Sequence, residues 1–578
     1  MTDEILIRIG KMTSLLFCAL TLVLAVTTSG ALCDEVKSAP TFPSKESLAL
    51  GEKMYREGLL PSGKPMQANI KADSSVPGTT FTCVSCHLRS GLGSFEGDIY
   101  TTPTNGRSLY NPRGVPLPER GMATYKNGVK IEATPPRLPP ARPAYTDVTL
   151  AEVLRTGKDP AGRVLDESIM PRIDLSEGDM AVLISYLKNL STDFSQGVDG
   201  TFMRLATITS DDVTAADRAA MLTPMENFIE NMNGLEKMYK ENARKLRASF
   251  DKMPFRRLQL SHWTLKGPAN TWQKQLEEYY RKEPVFALVG GIVTGDWKPI
   301  HDFSETNRIP CILPTTNFPV ISETDWYTLY LSKGLYQEGE SAASYVHGLK
   351  NTSVETNIVQ IVRSSREGQA LSSGFTKTWQ ELGHKSPRTI ILKVGEPLTR
   401  DFLQTILTKE RPTALMLWSG PDDLSLLEGI ASSPHAPRAV VVSWGYLGKS
   451  IWSISEQARE IAYITYPYRM PQDETKYAVD IDRLKHLNNV KDAQLITLIK
   501  TYYALGVLSQ AISNIKGNYY RDYLLDVISM QTDLESLLYE RVSFGPDQRY
   551  VSRGCYITRI AKGNKQELIK MSDWITHN

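Results

Sequence analysis

Val285-Phe286-Ala287-Leu288-Val289-Gly290-Gly291-Ile292-Val293-Thr294-Gly295, residues 285–295, decides how most of this chain is read. An unbroken apolar run that ends in paired glycines describes a strand buried on both faces and a tight turn after it. Working outward, short runs of the same kind recur at Phe202 to Ile208, Arg257 to Leu260, Cys311 to Leu313, Ile358 to Val362, Thr389 to Val394, Ala414 to Trp418 and Ala439 to Ser443. Amphipathic helical stretches separate them, and such alternation builds parallel sheets with helices on both faces. Ligands in these folds bind at the carboxyl ends of the strands, so loop 290–295 is a candidate site. It is not a phosphate loop, because Asp296 and Trp297 follow Gly295 where Lys and Ser or Thr are needed, and its glycine spacing is not a dinucleotide fingerprint. No nucleophile elbow and no His-Glu-x-x-His motif occurs, which favours a binding scaffold over an independent catalyst.

The order of three segments is informative: Val285 to Gly291, then Ile309-Pro310-Cys311-Ile312-Leu313-Pro314, then Gly334-Leu335-Tyr336-Gln337-Glu338-Gly339 leading into a helix at Ser341. It resembles the type I periplasmic binding proteins of the branched-chain amino acid or amide receptor sort, over residues 201 to about 562. The resemblance implies a two-lobed α/β domain, placed at 201–578, that closes on a small molecule such as an amino acid or amide. It further implies a cleft drawing on Thr294, Thr315 and Thr316 from one lobe and Ser364, Ser365, Trp418, Ser419 and Trp444 from the other, with Glu367 or Asp422 as the acid. Ile208-Thr209-Ser210-Asp211-Asp212 departs from the pattern, since the glycine-rich ligand turn expected there is missing.

Ahead of that domain stands Phe81-Thr82-Cys83-Val84-Ser85-Cys86-His87, and Cys-x-x-Cys-His is the attachment signature of a covalent c-type haem. Two thiols three positions apart can add to the two vinyl groups of one porphyrin, and the adjacent imidazole then lies under the iron. A zinc site would need more ligands, and Cys18, Cys33, Cys311 and Cys555 form no second pair. A thioredoxin-type pair belongs near a βαβ pattern, whereas this one follows the loop-like Ser74 to Thr80. One haem c is therefore expected on Cys83 and Cys86, with His87 as an axial ligand. Residues 43–192 contain no other histidine, so a methionine is the expected sixth ligand. Among Met54, Met66, Met122, Met170 and Met180 the choice falls on Met170, which Pro171 keeps out of helical geometry in a loop.

Helical patterns run from Ser44 to Gly58, from Thr149 to Gly157 and from Ser176 to Leu190, with a Pro-rich stretch between Gly91 and Tyr145. Together with Asp159-Pro160-Ala161-Gly162-Arg163, Met170-Pro171-Arg172 and Leu175 to Lys188, the Cys-x-x-Cys-His segment resembles a mono-haem class I cytochrome c. The resemblance implies an all-α cytochrome c domain at 43–192, whose first and last helices cross beside the haem. His/Met coordination would favour electron transfer. Arg113, Arg137, Arg142 and Arg172 are candidates to pair with haem propionates.

A chain of 578 residues is too long for one core, and a net charge of +2 without a Lys/Arg block argues against a nucleic-acid partner. Residues 1–31 read as a signal peptide, with Arg8 and Lys11 ahead of an apolar run from Leu15 to Val26. That run is short for a bilayer span, so no stable membrane span is expected in the mature form, and the expected location is the periplasm. Linkers fall at 32–42 and 193–200. Cys33, Cys311 and Cys555 are an odd set, and Cys311 sits in an apolar run that predicts a buried thiol. The combined expectation is an exported electron carrier with a fused module that binds a ligand or docks a redox partner protein. The alternatives are a subunit of a periplasmic dehydrogenase system, or a ligand sensor or transport receptor with a haem reporter.

Overall fold

The computed structural model describes residues 44–577 except 71–73, 97–98, 115–123, 127–128, 132–138, 168, 246–255, 350–356, 473–476, 533, 546–547 and 564–565. The expected signal peptide, its linker, Cys18, Cys33, Met122 and Arg137 lie outside the described residues.

The first unit opens with helix α1 (Lys45–Glu57), where Ser44 Oγ accepts the Ser47 N–H at 3.1 Å and satisfies one of the free donors of the first turn. Strands β1 (Gln67–Ile70) and β2 (Ser74–Pro77) follow, then the single-turn helix α2 (Cys83–His87), helix α3 (Asp147–Thr156), strand β3 (Arg172–Asp174) and helix α4 (Glu177–Asn189). Helices α1 and α4 pack closely, and Gly51 makes this possible: a Cβ there would stand 2.4 Å from Tyr186 Cβ. Met54, Tyr55, Leu150, Val153, Leu154, Met180, Leu183 and Leu187 fill the core from the apolar faces that the sequence displays. The expectation of an all-α unit needs correction. Strands β2, β1 and β3 form a three-stranded antiparallel sheet, because the chain returning after Pro171 pairs Ile173 with Ala68 at the core's edge. The base of the Pro-rich segment is ordered by Arg142, which is buried and donates to the carbonyls of Ser108, Leu109, Asn111 and Pro143.

The second unit has two α/β lobes. Lobe 1 begins with β4 (Phe202–Ser210), α5 (Ala215–Lys245), β5 (Arg257–Leu265), α6 (Trp272–Lys282), β6 (Ala287–Val289), α7 (Lys298–Asn307), β7 (Cys311–Ile312) and β8 (Thr328–Ser332). The chain crosses to lobe 2 for α8 (Leu335–Gly348), β9 (Ile358–Arg363), α9 (Arg366–Glu381), β10 (Arg388–Leu392), α10 (Arg400–Glu410), β11 (Ala414–Trp418), β12 (Ala439–Ser443) and β13 (Ala462–Tyr466). It then returns to lobe 1 for α11 (Ala478–Asn488), α12 (Leu495–Ile515), α13 (Arg521–Ser529) and β14 (Tyr550–Ser552). Finally it crosses back for β15 (Gly554–Ile560), β16 (Leu568–Lys570) and β17 (Ile575–Thr576).

Lobe 1 carries a six-stranded parallel sheet in the order β14-β8-β7-β6-β4-β5. Lobe 2 orders its strands β10-β9-β11-β12-β13-β15-β16, parallel as far as β13, with β15 antiparallel to β13, β16 and β17. Strand order reverses between β4 and β6 in one sheet and between β9 and β11 in the other, and crevices open at those points. Phe286, Ala287 and Leu288 are at most 1 % exposed, which is why this strand reads as a continuous apolar run. Among the described residues one helix, Asp492–Ile515, is long and apolar enough to cross a membrane, and Leu498, Leu508, Ile512 and Ile515 on it are buried within the protein.

The first unit docks on lobe 1 through charged groups. Arg56 pairs with Asp522 of α13 at 2.7 Å, Glu52 receives both Arg308 nitrogens at 2.9 Å, and Tyr327 donates to Asp522 at 2.9 Å. Burial opposes the Asp522 charge, but Arg56 and then Arg89 hold its carboxyl below the usual range.

Candidate functional sites

Helix α2 places Cys83, Cys86 and His87 within one turn, and both thiols are free and half-buried. His87 Nδ1 lies 2.9 Å from the Thr102 carbonyl oxygen, so that nitrogen carries the hydrogen and Nε2 is left with its lone pair. Burial lowers the basicity of the imidazole. Burial also pushes the Cys83 thiol up to about 12, the reverse of what a disulfide oxidoreductase needs from its attacking sulfur. Among the described residues no three His, Cys, Asp or Glu side chains converge to hold an ion.

Cys83, Val84, Leu60, Tyr110, Tyr145, Leu165 and Met170 are partly buried and pack against the core of this unit. Met170 sits in a bend, as Pro171 after it dictates, and its carbonyl accepts from Arg172 NH1 at 2.7 Å. Met54, Met66 and Met180 are inside the core. Of the arginines considered for propionates, Arg142 is fully occupied by backbone carbonyls and Arg172 holds the Met170 loop, while Arg113 donates to Pro140. Segment 88–90, directly after His87, is fixed from lobe 1: Asp526 of α13 accepts the Ser90 N–H at 2.9 Å and the Arg89 N–H at 3.4 Å. Burial raises the Asp526 carboxyl to about 6.

The second site is the cleft between the lobes. On lobe 1, Thr294 N–H donates to Ser210 Oγ at 3.1 Å, Thr294 Oγ1 donates to Asp212, and Thr315 N–H donates to the Gly291 carbonyl at 2.9 Å. Hydroxyls of Ser210 and Thr294 hold the Asp212 carboxyl below its usual value. Thr316 Oγ1 accepts from Phe318 N–H at 3.0 Å. On lobe 2, Ser365 caps α9 by accepting from Gly368 N–H at 3.2 Å and lies 3.1 Å from the Tyr446 hydroxyl. Ser364 bonds through its backbone to Leu392. Arg366 spans the gap, with Nη2 at 3.4 Å from the Thr294 carbonyl and its guanidinium 4.8 Å from the Phe318 ring centre.

Trp418 does not face this cleft. Trp418 is fully buried and donates Nε1–H to Gln360 at 3.0 Å, so it belongs to the core of lobe 2. Trp444 packs edge-on against Trp452 and Tyr466 on the other cluster of that lobe. The burial of Trp418 follows from its place at the end of a parallel strand with core on either face, whereas Trp444, just past β12, opens a short helix and is half-buried. Ser419 is buried, and its carbonyl accepts from Arg363, which also pairs with Asp423 at 2.6 Å. Asp422 is exposed and Glu367 half-buried; the carboxylate engaged with the cleft threonines is Asp212. Asp212, Arg366 and Tyr446 were not anticipated. The polar Ser210-Asp211-Asp212 at the end of an apolar strand was the one signal in the sequence that could have marked Asp212.

At the hinge the three crossings come together. Gln337 Nε2–H donates to the Gly554 carbonyl at 2.6 Å, and Tyr468 packs against the cores of both lobes. Glu338 is buried beneath them, accepting from Ser443 Oγ at 2.8 Å, Gly445 N–H at 3.1 Å and Thr465 Oγ1 at 2.6 Å, and its burial raises its pKa to about 7.

No family model matches the sequence, and no match to a curated protein is found by sequence. Among solved structures the chain is similar to a branched-chain amino acid ABC transporter protein from Rhodospirillum rubrum, at 13% identity and TM-score 0.46, covering 64% of this chain and 99% of that one. It is also similar to a branched chain amino acid ABC transporter protein from Thermus thermophilus with bound valine (12% identity, TM-score 0.44, 65% and 97% covered). A third is a solute binding protein from R. palustris in complex with benzoate (11% identity, TM-score 0.44, 65% and 98% covered).

Proposed function

We propose that this chain is an exported c-type cytochrome fused to a two-lobed binding module. In this reading Cys83 and Cys86 would hold one covalent haem, His87 and Met170 would ligate its iron, and the protein would pass electrons to or from a redox partner protein in the periplasm. The observation that carries the reading is the contact between His87 Nδ1 and the Thr102 carbonyl inside a Cys-x-x-Cys-His turn, since it leaves Nε2 as the ligating nitrogen. Haem held in this way supplies a reversible one-electron couple. The chain's own residues do the remaining work: Thr102 fixes the ring's tautomer and orientation, and Arg172 steadies the Met170 loop.

Intact mass of the periplasmic protein is expected to show one haem retained under denaturing conditions and lost in Cys86→Ala. Absence of that mass from protein made with an intact maturation system defeats the proposal. Met170→Ala should abolish the ligand charge-transfer band at the red end of the ferric spectrum, and an unchanged band excludes Met170.

A second reading is favoured by the cleft. Two lobes, three crossings and an arginine that reaches from one lobe to the other support reception of a small molecule such as an amino acid or amide, with the haem as reporter of closure. In a ligand screen by thermal shift, Arg366→Ala and Asp212→Asn should each weaken any stabilising ligand by about tenfold or more. If no small molecule stabilises the protein, the lobes serve only to dock a partner.

A further inference from the structure

We infer that Trp326 links the Cys83–His87 turn to the hinge, so that the setting of the turn and the angle between the lobes act on each other; this rests on the reading of the two lobes as a receptor cleft that opens and closes. The indole of Trp326 is shared by two guanidinium groups, that of Arg89 from the first unit with its central carbon 4.2 Å from the ring centre and that of Arg549 from lobe 1 at 3.8 Å. Arg89 stands two residues beyond His87, and its backbone N–H is one of the two that Asp526 accepts. Contacts between a cation and an aromatic face strengthen as water is excluded, and Arg549 is only 5 % exposed. Nε1 of Trp326 is buried without a hydrogen-bond partner among the described residues. The edge of the ring is therefore untied, and the two cations set how it lies.

Trp326 stands two residues before β8, and Arg549 one residue before β14. These strands are parallel neighbours, with Tyr330 opposite Tyr550 and Ser332 opposite Ser552, and their far ends run into the first and third crossings at Lys333-Gly334 and Arg553. The first unit thus sits on the starts of the two strands whose ends form part of the hinge. Those starts are joined: Arg549 Nη1 donates to the Trp326 carbonyl at 3.1 Å, and the Tyr330 N–H donates to the Arg549 carbonyl at 2.7 Å. Strand β14 has three residues and lies at the edge of its sheet, bonded on one side only, so it shifts along β8 more readily than an inner strand would. Rotation at the crossings shears this pair, which moves Arg549 against the indole and, through the indole, Arg89.

Hydrogen exchange of the full chain, read by mass spectrometry over 88–90, 333–335 and 549–555, tests the link. Arg89→Gln should quicken exchange over 549–555 by at least about threefold, whereas Arg308→Gln, which breaks the docking ion pair with Glu52 outside the stack, should leave that segment unchanged. Arg366→Gln frees lobe 2 from the Thr294 carbonyl and should quicken exchange at both crossings and also over 88–90. Adding Trp326→Leu should uncouple the 88–90 segment from Arg366→Gln, and Trp326→Tyr should retain part of the coupling. Exchange that rises at the crossings but not over 88–90 in Arg366→Gln overturns the inference and leaves the moving cleft standing; no rise at either place means that the lobes do not open, and both fall. An effect of Arg89→Gln confined to the first unit, or matched by Arg308→Gln, also overturns it.

Discussion

Glu338 illustrates how one side chain sets a pH response. Its pKa stands at about 7 when folded against a usual 4.5, so between those values the folded chain holds a proton that the unfolded chain has lost. Stability therefore falls as pH rises from 4.5 through about 7 and is flat above that. Asp526, raised to about 6 by burial, acts in the same direction over the lower part of the window. Glu338→Gln keeps most of the hydrogen bonds and removes the titration, so chemical denaturation measured from pH 5 to 8 should show a shallower fall than the parent. An identical slope would mean that the charge is relieved in another way.

A second residue-scale prediction concerns Asp522. Arg56, only 10 % exposed, would keep only the Glu52 carboxylate at 2.8 Å in Asp522→Ala, so denaturant unfolding should show a loss of stability below the roughly 3 kcal/mol of a fully unpaired buried charge.

At the scale of elements, helices α8 and α9 show the closest approach of two backbones in lobe 2. A Cβ on Gly374 would lie 2.1 Å from the Tyr336 carbonyl, and one on Gly339 2.1 Å from the Leu371 carbonyl. Gly374→Ala must push the helices apart and should lower stability by about 2 kcal/mol or more, despite alanine's better helix propensity. A neutral or positive change in melting temperature would contradict this packing.

The same scale explains what could be read from the chain. Strands at 202, 285, 311, 358, 414 and 439 were legible because they are buried on both faces and their apolar runs are continuous, whereas those at 257 and 389 are partly exposed and were marked by their alternation with helical stretches. Strand β13, Ala462–Tyr466, was not, since Thr465 interrupts the apolar pattern in order to bond Glu338. Strand β15 was missed because glycine, cysteine, threonine and arginine share it, and its fitness for a strand depends on antiparallel neighbours remote in sequence. In the same way, the cleft's hydroxyls could be named from the loops that follow strands. Arg366 and Tyr446 acquire their roles only when two lobes come together, and no local pattern records that.

For the whole molecule, the contacts between the first unit and the second fall on lobe 1, at Asp522, Asp526, Arg308, Tyr519 and Tyr520. Asp526→Ala removes the acceptor for two backbone N–H groups beside His87 and is expected to loosen this docking. Limited proteolysis should then release the first unit near the 191–200 linker faster than in the parent, and equal cleavage rates would show that the remaining ion pairs suffice.

The docking contacts also carry a consequence for how the protein is made. Arg56 meets Asp522 across 466 residues of chain, and Ser90 meets Asp526 across 436. Synthesis at about 5–20 residues per second separates such partners by roughly 20–90 s. During that interval the N-terminal unit has left the ribosome while the helix that will cover its 88–90 segment does not yet exist. Segment 88–90, next to His87, is thus exposed first and covered last, and the order of translation itself leaves a period in which the N-terminal unit stands alone before lobe 1 arrives to seat it.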